Sequence, residues 1–235
     1  PFSYPSIPNK NKILARKSLI LKSDRKNNLV FISSFKMALS KHGSYIFRYN
    51  LIKELLKDST FFKLYGYGWH KTPLPFDIVG IAIIKRISFL KNITLYLMGL
   101  KFKPLGRFPI AKFKSKTLEN YEFTLAIEPT ISKFNSICEK IFDPMISGSI
   151  PVYYGPNLHD IPENSYIKIN KFTTAKEISH KLNNISHSEK SEYRKNIYNF
   201  LISKKADKYR YSCYANLIIE TILNQIRYWK FYWNV

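Results

Sequence analysis

Apolar positions along the chain alternate between short unbroken runs and stretches spaced three to four residues apart. Residues 28–34 (NLVFISS) are an apolar run closed by serines, which predicts a buried strand. After a KHGS loop at 41–44, residues 44–57 set Phe47, Leu51 and Leu55, with Ile52 and Leu56, at helical spacing. That predicts an amphipathic helix with Arg48 on its first turn. Residues 61–66 (FFKLYG) predict a second strand and complete a strand–helix–strand unit. The pattern lapses over 67–120 and resumes at 121–128 (YEFTLAIE), a strand ending on a carboxylate, Glu128. Ser136-x-x-Glu139 has the form of a capping box and predicts a helix to about Ser147, stopped by Gly148 and kinked or shortened by Pro144. Residues 150–155 (IPVYYG) and 165–169 (SYIKI) predict two more strands, and Thr174-x-x-Glu177 caps a helix to about Ile185. From 188 to 235 the pattern is helical and ends in Tyr228, Trp229, Phe231, Tyr232 and Trp233.

Strands alternating with helices predict an α/β fold with a doubly wound parallel sheet. Ligands on such sheets lie outside the carboxyl ends of the strands, here residues 33–43, 128–136 and 155–159. Residues 1–27 read as a linker and lead-in, its first eleven residues extended around Pro1, Pro5 and Pro8. Residues 28–203 form the main domain, with 67–120 as a variable basic and apolar insertion, and 204–235 a C-terminal helix with its aromatic tail.

The composition, 45% hydrophobic and 16% aromatic, supports a core and argues against disorder of the whole chain. A net charge of +22 changes the picture more, because such a field draws anions: nucleic acid, lipid headgroups or a diphosphate. A lysine-rich coding habit is the bland source of the same excess. The stretch 78–100 is the most apolar, yet Lys85, Arg86 and Lys91 interrupt it, so it does not span a bilayer. It reads as a buried amphipathic helix pair or as a helix lying on a membrane surface. Cys138 and Cys213 make no zinc pair and no disulfide scaffold, so a reducing, cytoplasmic setting is expected, peripheral at the membrane. The sequence opens on Pro1 without a signal peptide and reads as a fragment or a processed product; a Golgi lumen would require an anchor ahead of it.

Candidate chemistry gathers at the strand ends. A helix start near Ser136, with Lys140 on its first turns, suits a phosphate, and Glu139 suits a ribose diol. Arg48 has the donor fork to clamp a diphosphate. Glu128 is a carboxylate at the end of an apolar strand, and such groups are rarely fully buried without a partner. In each case the bland alternative is a cap or a solvated charge. The five histidines show no metal-ligand spacing, and neither GxGxxG nor a GxxxxGK[ST] loop occurs. A nucleic-acid-binding domain with aromatic stacking platforms is the rival reading of the charge, but no RRM, KH or helix-turn-helix signature accompanies it.

Three blocks, YEFTLAIE at 121–128, CEKIFDPMISGSIPVYYG at 138–155 and PENSYIKINKF at 162–172, resemble in order the signature blocks of the family 10 fucosyltransferases. Residues 29–66 resemble the family's strand, serine-containing loop, arginine-bearing helix and Tyr-Gly strand, and PFSYP at 1–5 a segment preceding that domain. The resemblance implies a GT-B architecture of two facing Rossmann-like domains, of which this chain is the C-terminal, nucleotide-sugar-binding one. It implies transfer of fucose from GDP-fucose to a glycan acceptor, with inversion, no metal and no cofactor. Glu139 would then take the ribose hydroxyls, Lys140 and Arg48 the diphosphate, with Ser136 beside them and Glu128 facing the sugar. The family's catalytic base belongs to the N-terminal domain, so no catalytic residue is assigned here. Nucleic acid is not an expected partner. The chain departs from the family pattern at Pro129, Ser136, Cys138 and Lys171, in a loop one residue longer before Glu139, and in the length of 67–120. These departures leave the fold intact and bear on the sugar; a non-catalytic nucleotide-binding remnant is the remaining alternative.

Overall fold

The computed structural model describes residues 7–23, 25, 27–37, 43–72, 88–131 and 137–233, without the side chains of Asn27, Ser88, Lys91, Leu95, Tyr214 and residues 228–233. Its strands are β1 (Asn27–Ile32), β2 (Phe62–Tyr65), β3 (Tyr121–Ile127), β4 (Ile150–Tyr154) and β5 (Ile167–Lys168). Its helices are α1 (Lys10–Ala15), α2 (Lys17–Ile20), α3 (Tyr45–Leu55), α4 (Ser88–Lys101), α5 (Lys114–Leu118), α6 (Glu139–Ser147), α7 (Ala175–Asn184), α8 (His187–Ile202) and α9 (Tyr211–Trp233).

The strands form one sheet in the order β2-β1-β3-β4-β5, and every pairing is parallel. Leu29 lies opposite Phe62 on one side and Phe123 on the other, and Ile127 lies opposite Tyr154. All seven residues of β3 are buried, as a strand covered on both faces requires. From β1 the chain steps through α3 to β2 in one direction. From β3 it steps through α6 to β4 in the other. Right-handed crossovers therefore put α3 and α6 on opposite faces. Packing agrees: α3 rests against α7, while α6 lies on β3 and β4 beside α8. This is the doubly wound sheet that the pattern predicts. A buried ion pair from Arg194 on α8 to Glu122 on β3 ties the second layer down. Removing one partner of such a pair costs about 3–5 kcal/mol.

Three expectations change. Residues 1–11 are no extended linker beyond the undescribed 1–6. The backbone N–H of Ile7 donates to the Tyr209 carbonyl at 3.0 Å and that of Tyr211 donates back to Ile7 at 3.2 Å. Ile7, Ile13 and Ile20 are fully buried on this face, and α1 packs on α8. Their wide spacing, with a break at Arg16 between two short helices, leaves no period to read.

Pro144 does not shorten α6, which runs through it to Ser147. It forgoes one hydrogen bond, to the carbonyl of Lys140. Its own carbonyl accepts from Ser149 at 3.0 Å, in a Schellman close with Gly148 in the left-handed region. Finally, β5 shrinks to two residues, because the N–H and hydroxyl of Ser165 both turn back to Pro162. The capped helix at Thr174 forms as expected, with both capping-box bonds present.

Candidate functional site

The reversal between β1 and β3 opens a switch point at their carboxyl ends, where doubly wound sheets bind ligands. The loops there are stitched together: Gly43 bridges Thr130, and the backbone N–H of Ser44 donates to the Pro129 carbonyl at 3.0 Å. Ser44 is the N-cap of α3, but its hydroxyl does not cap that helix. It donates instead to the backbone carbonyl of Glu128. Pro129 serves here through its carbonyl, so its lack of an N–H costs nothing.

Arg48 sits one turn into α3 and is only 3% exposed. Its Nη2 donates to the Lys36 carbonyl at 2.9 Å and its Nη1 reaches Ser33 Oγ, just past β1, at 3.4 Å. The guanidinium carbon stands 4.7 Å from the centre of the Tyr45 ring. Its Nε has no hydrogen-bond partner, and no carboxylate pairs with it among the described residues. Burial lowers its pKa to about 10, which leaves it charged at neutral pH.

Across the switch point, Glu128 follows β3 and is 1% exposed. Its Oε1 accepts the backbone N–H of Cys138 at 3.1 Å and its Oε2 accepts the Cys138 thiol at 2.6 Å. Burial pushes the carboxyl above the usual carboxylate range, with the Cys138 bonds and Lys140 pulling the other way. Burial and Glu128 likewise raise the Cys138 thiol, which stays protonated. Lys140 Nζ lies 3.2 Å from Cys138 Sγ and 3.5 Å from Glu139 Oε1. Burial opposes the ammonium, but Cys138 and Glu139 outweigh it and hold Lys140 above its ordinary value. Burial also opposes the Glu139 carboxylate, and Lys140 outweighs it there too.

Glu128, Glu139 and Lys140 therefore form one hydrogen-bonded chain at the start of α6, and Arg48 stands on the β1 side of the same switch point. The capping box does not form: Cys138 is the N-cap and Glu139 the first helical residue, not the third. Glu128 takes the N–H of Cys138, which fixes the helix start two residues past Ser136. Ser136 itself lies outside the described residues.

Sequence reasoning passed over Ser33, Ser44, Tyr153 and Gly155. Tyr153 is fully buried, and its hydroxyl has no hydrogen-bond partner among the described residues. A Cβ on Gly155 would overlap that hydroxyl and meet Glu128 Cγ at 2.7 Å, so the glycine leaves the space both side chains occupy. The closing glycine of IPVYYG was the available signal for such a close approach. Among the described residues, no group of three or more His, Cys, Asp or Glu is placed to hold a metal ion.

Fold and site together define a doubly wound α/β domain with cationic groups at the switch point of its sheet. The chain matches the model of the C-terminal domain of glycosyltransferase family 10 (fucosyltransferase) over residues 84–213, more than half its length, and belongs to that family. Glu128, Glu139 and Lys140 fall inside the match; Arg48 falls outside it. Among solved structures, an α1,3-fucosyltransferase is similar at 17% identity and TM-score 0.41, over 76% of this chain and 39% of that one. The α1,3-fucosyltransferase with GDP is similar at 15% identity and TM-score 0.40, over 79% and 40%. A trehalose-6-phosphate synthase is similar at 10% identity and TM-score 0.49, over 94% and 51%. The chain thus spans between 39% and 51% of the length of these structures. No curated protein matches it.

Proposed function

We propose that this chain binds a nucleoside diphosphate sugar, GDP-fucose, at the β1–β3 switch point, as the donor-binding domain of a GT-B glycosyltransferase. The observation that carries the reading is Arg48: a buried guanidinium whose Nε has no partner and which meets no carboxylate among the described residues. A buried charge without a counter-ion is costly. A diphosphate would supply both the missing charge and the missing acceptor. Lys140, already above its ordinary value, adds a second cation from α6. Glu139 is 45% exposed and free to accept from ribose hydroxyls. Membership of family 10 supports GDP as the nucleotide and fucose as the sugar.

Negative charge grows on the diphosphate as the sugar departs. Fixed cations facing it favour the transition state over the bound ground state. These two side chains do the work a metal ion does elsewhere, so the reaction proceeds without one. Glu128 faces the sugar end of the site and is held there by Cys138; inversion follows from attack by an acceptor hydroxyl on the face opposite the diphosphate.

Calorimetry with GDP, UDP and ADP tests the reading, and GDP is expected to bind most tightly. Because Arg48 is buried, Arg48→Lys accompanies Arg48→Ala, with melting curves recorded for both. A folded Arg48→Ala that binds GDP as well as the parent would overturn the assignment.

A further inference from the structure

We propose that the outer face of α4 is a docking surface for an anionic lipid bilayer. In an ordinary surface helix the apolar stripe faces the core and the solvent side is polar. Here α4 carries a second, outward stripe. Met98 is 6% exposed and packs inward with Phe102, Tyr45 and Tyr49. On the other side Phe89, Ile93, Tyr96, Leu97 and Leu100 recur at i, i+4, i+7, i+8 and i+11, and each is between 41% and 70% exposed. From Phe89 to Leu100 the stripe runs for about 16 Å along the helix. Five large apolar side chains in one line exceed what a soluble surface ordinarily leaves in water.

Charge selects the occupant. Between Asp77 and Glu119 the sequence has nine Lys and Arg residues and no acidic one. Lys101 and Lys103, at the end of the helix, are exposed. The same acid-free stretch exposes Ile110 and Phe113, with Lys112 and Lys116 ammoniums 5.8 and 5.5 Å from the Phe113 ring centre. Exposed apolar side chains with Lys101 and Lys103 at the end of their stripe are the chemistry of a helix lying in the headgroup layer, buried by about 5–10 Å. A second copy of the chain would bring one +22 field against another and meet the same basic rim, which opposes pairing.

The fold also fixes how this face would present the site. Phe102 stands edge-on to Tyr49 at 5.1 Å, the Tyr49 hydroxyl donates to the Lys103 carbonyl at 2.9 Å, and the neighbouring Tyr45 ring lies beside Arg48. A bilayer under α4 would therefore stand one packed layer from the guanidinium. The inference itself does not depend on which nucleotide binds there.

Flotation of the chain with vesicles tests it, using phosphatidylcholine alone and phosphatidylcholine with about one-third phosphatidylglycerol. Binding to the anionic vesicles and its loss at high salt are expected. The triple variant Phe89→Ser, Leu97→Ser, Leu100→Ser should weaken that binding about tenfold or more. Its melting temperature should hold, because all three side chains face solvent. Ile222→Ser with Ile226→Ser on α9, which is also exposed, should change binding by less than about twofold. Failure to float with anionic vesicles, or flotation that survives the triple variant, would refute the proposal. So would loss of binding from the α9 pair alone. An oligomer in lipid-free solution that the triple variant dissolves would assign the face to a second copy instead.

Discussion

Arg48 and Glu128 stand on the two sides of a switch point and pose the same problem with opposite signs: how a charge survives burial. Glu128 is answered from within, since Cys138 supplies an N–H and a thiol; Arg48 is answered only in part. Burial raises the Glu128 pKa, so over a window above the ordinary glutamate range the native state keeps a proton that the unfolded chain has lost. Its contribution to stability is complete below the unfolded value and is lost as pH rises through the folded one. Urea midpoints measured from acid to neutral pH should therefore fall through that window for the parent and stay flatter for Glu128→Gln, whose amide oxygen can still accept from Cys138. Two parallel curves would show that Glu128 is not the source. For Lys140→Ala the readout is affinity: loss of a charge-assisted contact, about 1.5–3 kcal/mol, corresponds to roughly ten- to hundredfold weaker GDP binding by calorimetry. Unchanged affinity would remove Lys140 from the site. The placement of Arg48, Glu128, Glu139 and Lys140 near the rim was legible because strand ends and helix starts mark it. Cys138 and Ser44 were not, since their roles depend on Glu128, 10 and 84 residues away. The Ser136-x-x-Glu139 pattern misled for the same reason: a four-residue signature carries no record of the carboxylate that claims the Cys138 N–H.

At the scale of elements, β1, β3 and β4 announced themselves as apolar runs because a central parallel strand is buried on both faces. The capping box of α7 was equally plain, being wholly local. What stayed hidden was the packing of α1 and α2, two short helices whose isoleucines become buried only against α8 and the turn at Tyr209. The close of α6 shows how tightly this layer is fitted. Gly148 has φ +71°, and a Cβ there would approach the Leu19 carbonyl oxygen at 2.8 Å and Ile20 Cα at 2.9 Å, both backbone atoms of α2. Gly148→Ala should cost about 1–2 kcal/mol for the left-handed residue alone, with the backbone contact adding to it. Urea unfolding measures the sum. A loss well under that range would mean that α2 can move away from α6 freely, and that the N-terminal helices are not part of the fitted core.

For the whole molecule the sharpest expectation separates binding from catalysis. Transfer needs the leaving diphosphate held on one side of the sugar and an acceptor hydroxyl held, and relieved of its proton, on the other. In the proposed reading Arg48, Lys140 and Glu139 all serve the first requirement. Glu128 is poorly suited to the second, because it is 1% exposed and both its oxygens already accept from Cys138. In the GT-B reading proposed above, the acceptor and the base belong to a facing domain. Proton removal by a placed base contributes about 10²–10⁴-fold to rate, and alignment of the two reactants contributes more. Residues 1–235 by themselves should therefore bind GDP-fucose yet transfer no labelled fucose above the rate of its hydrolysis, whichever galactose- or N-acetylglucosamine-containing acceptor is supplied. The two halves of the expectation fail separately. Absence of GDP binding would sink the switch-point site. Robust transfer would leave that site standing but place a base within this chain, and Glu128→Gln would then be the first variant to assay, with loss of transfer and retention of GDP affinity as the signature of that role.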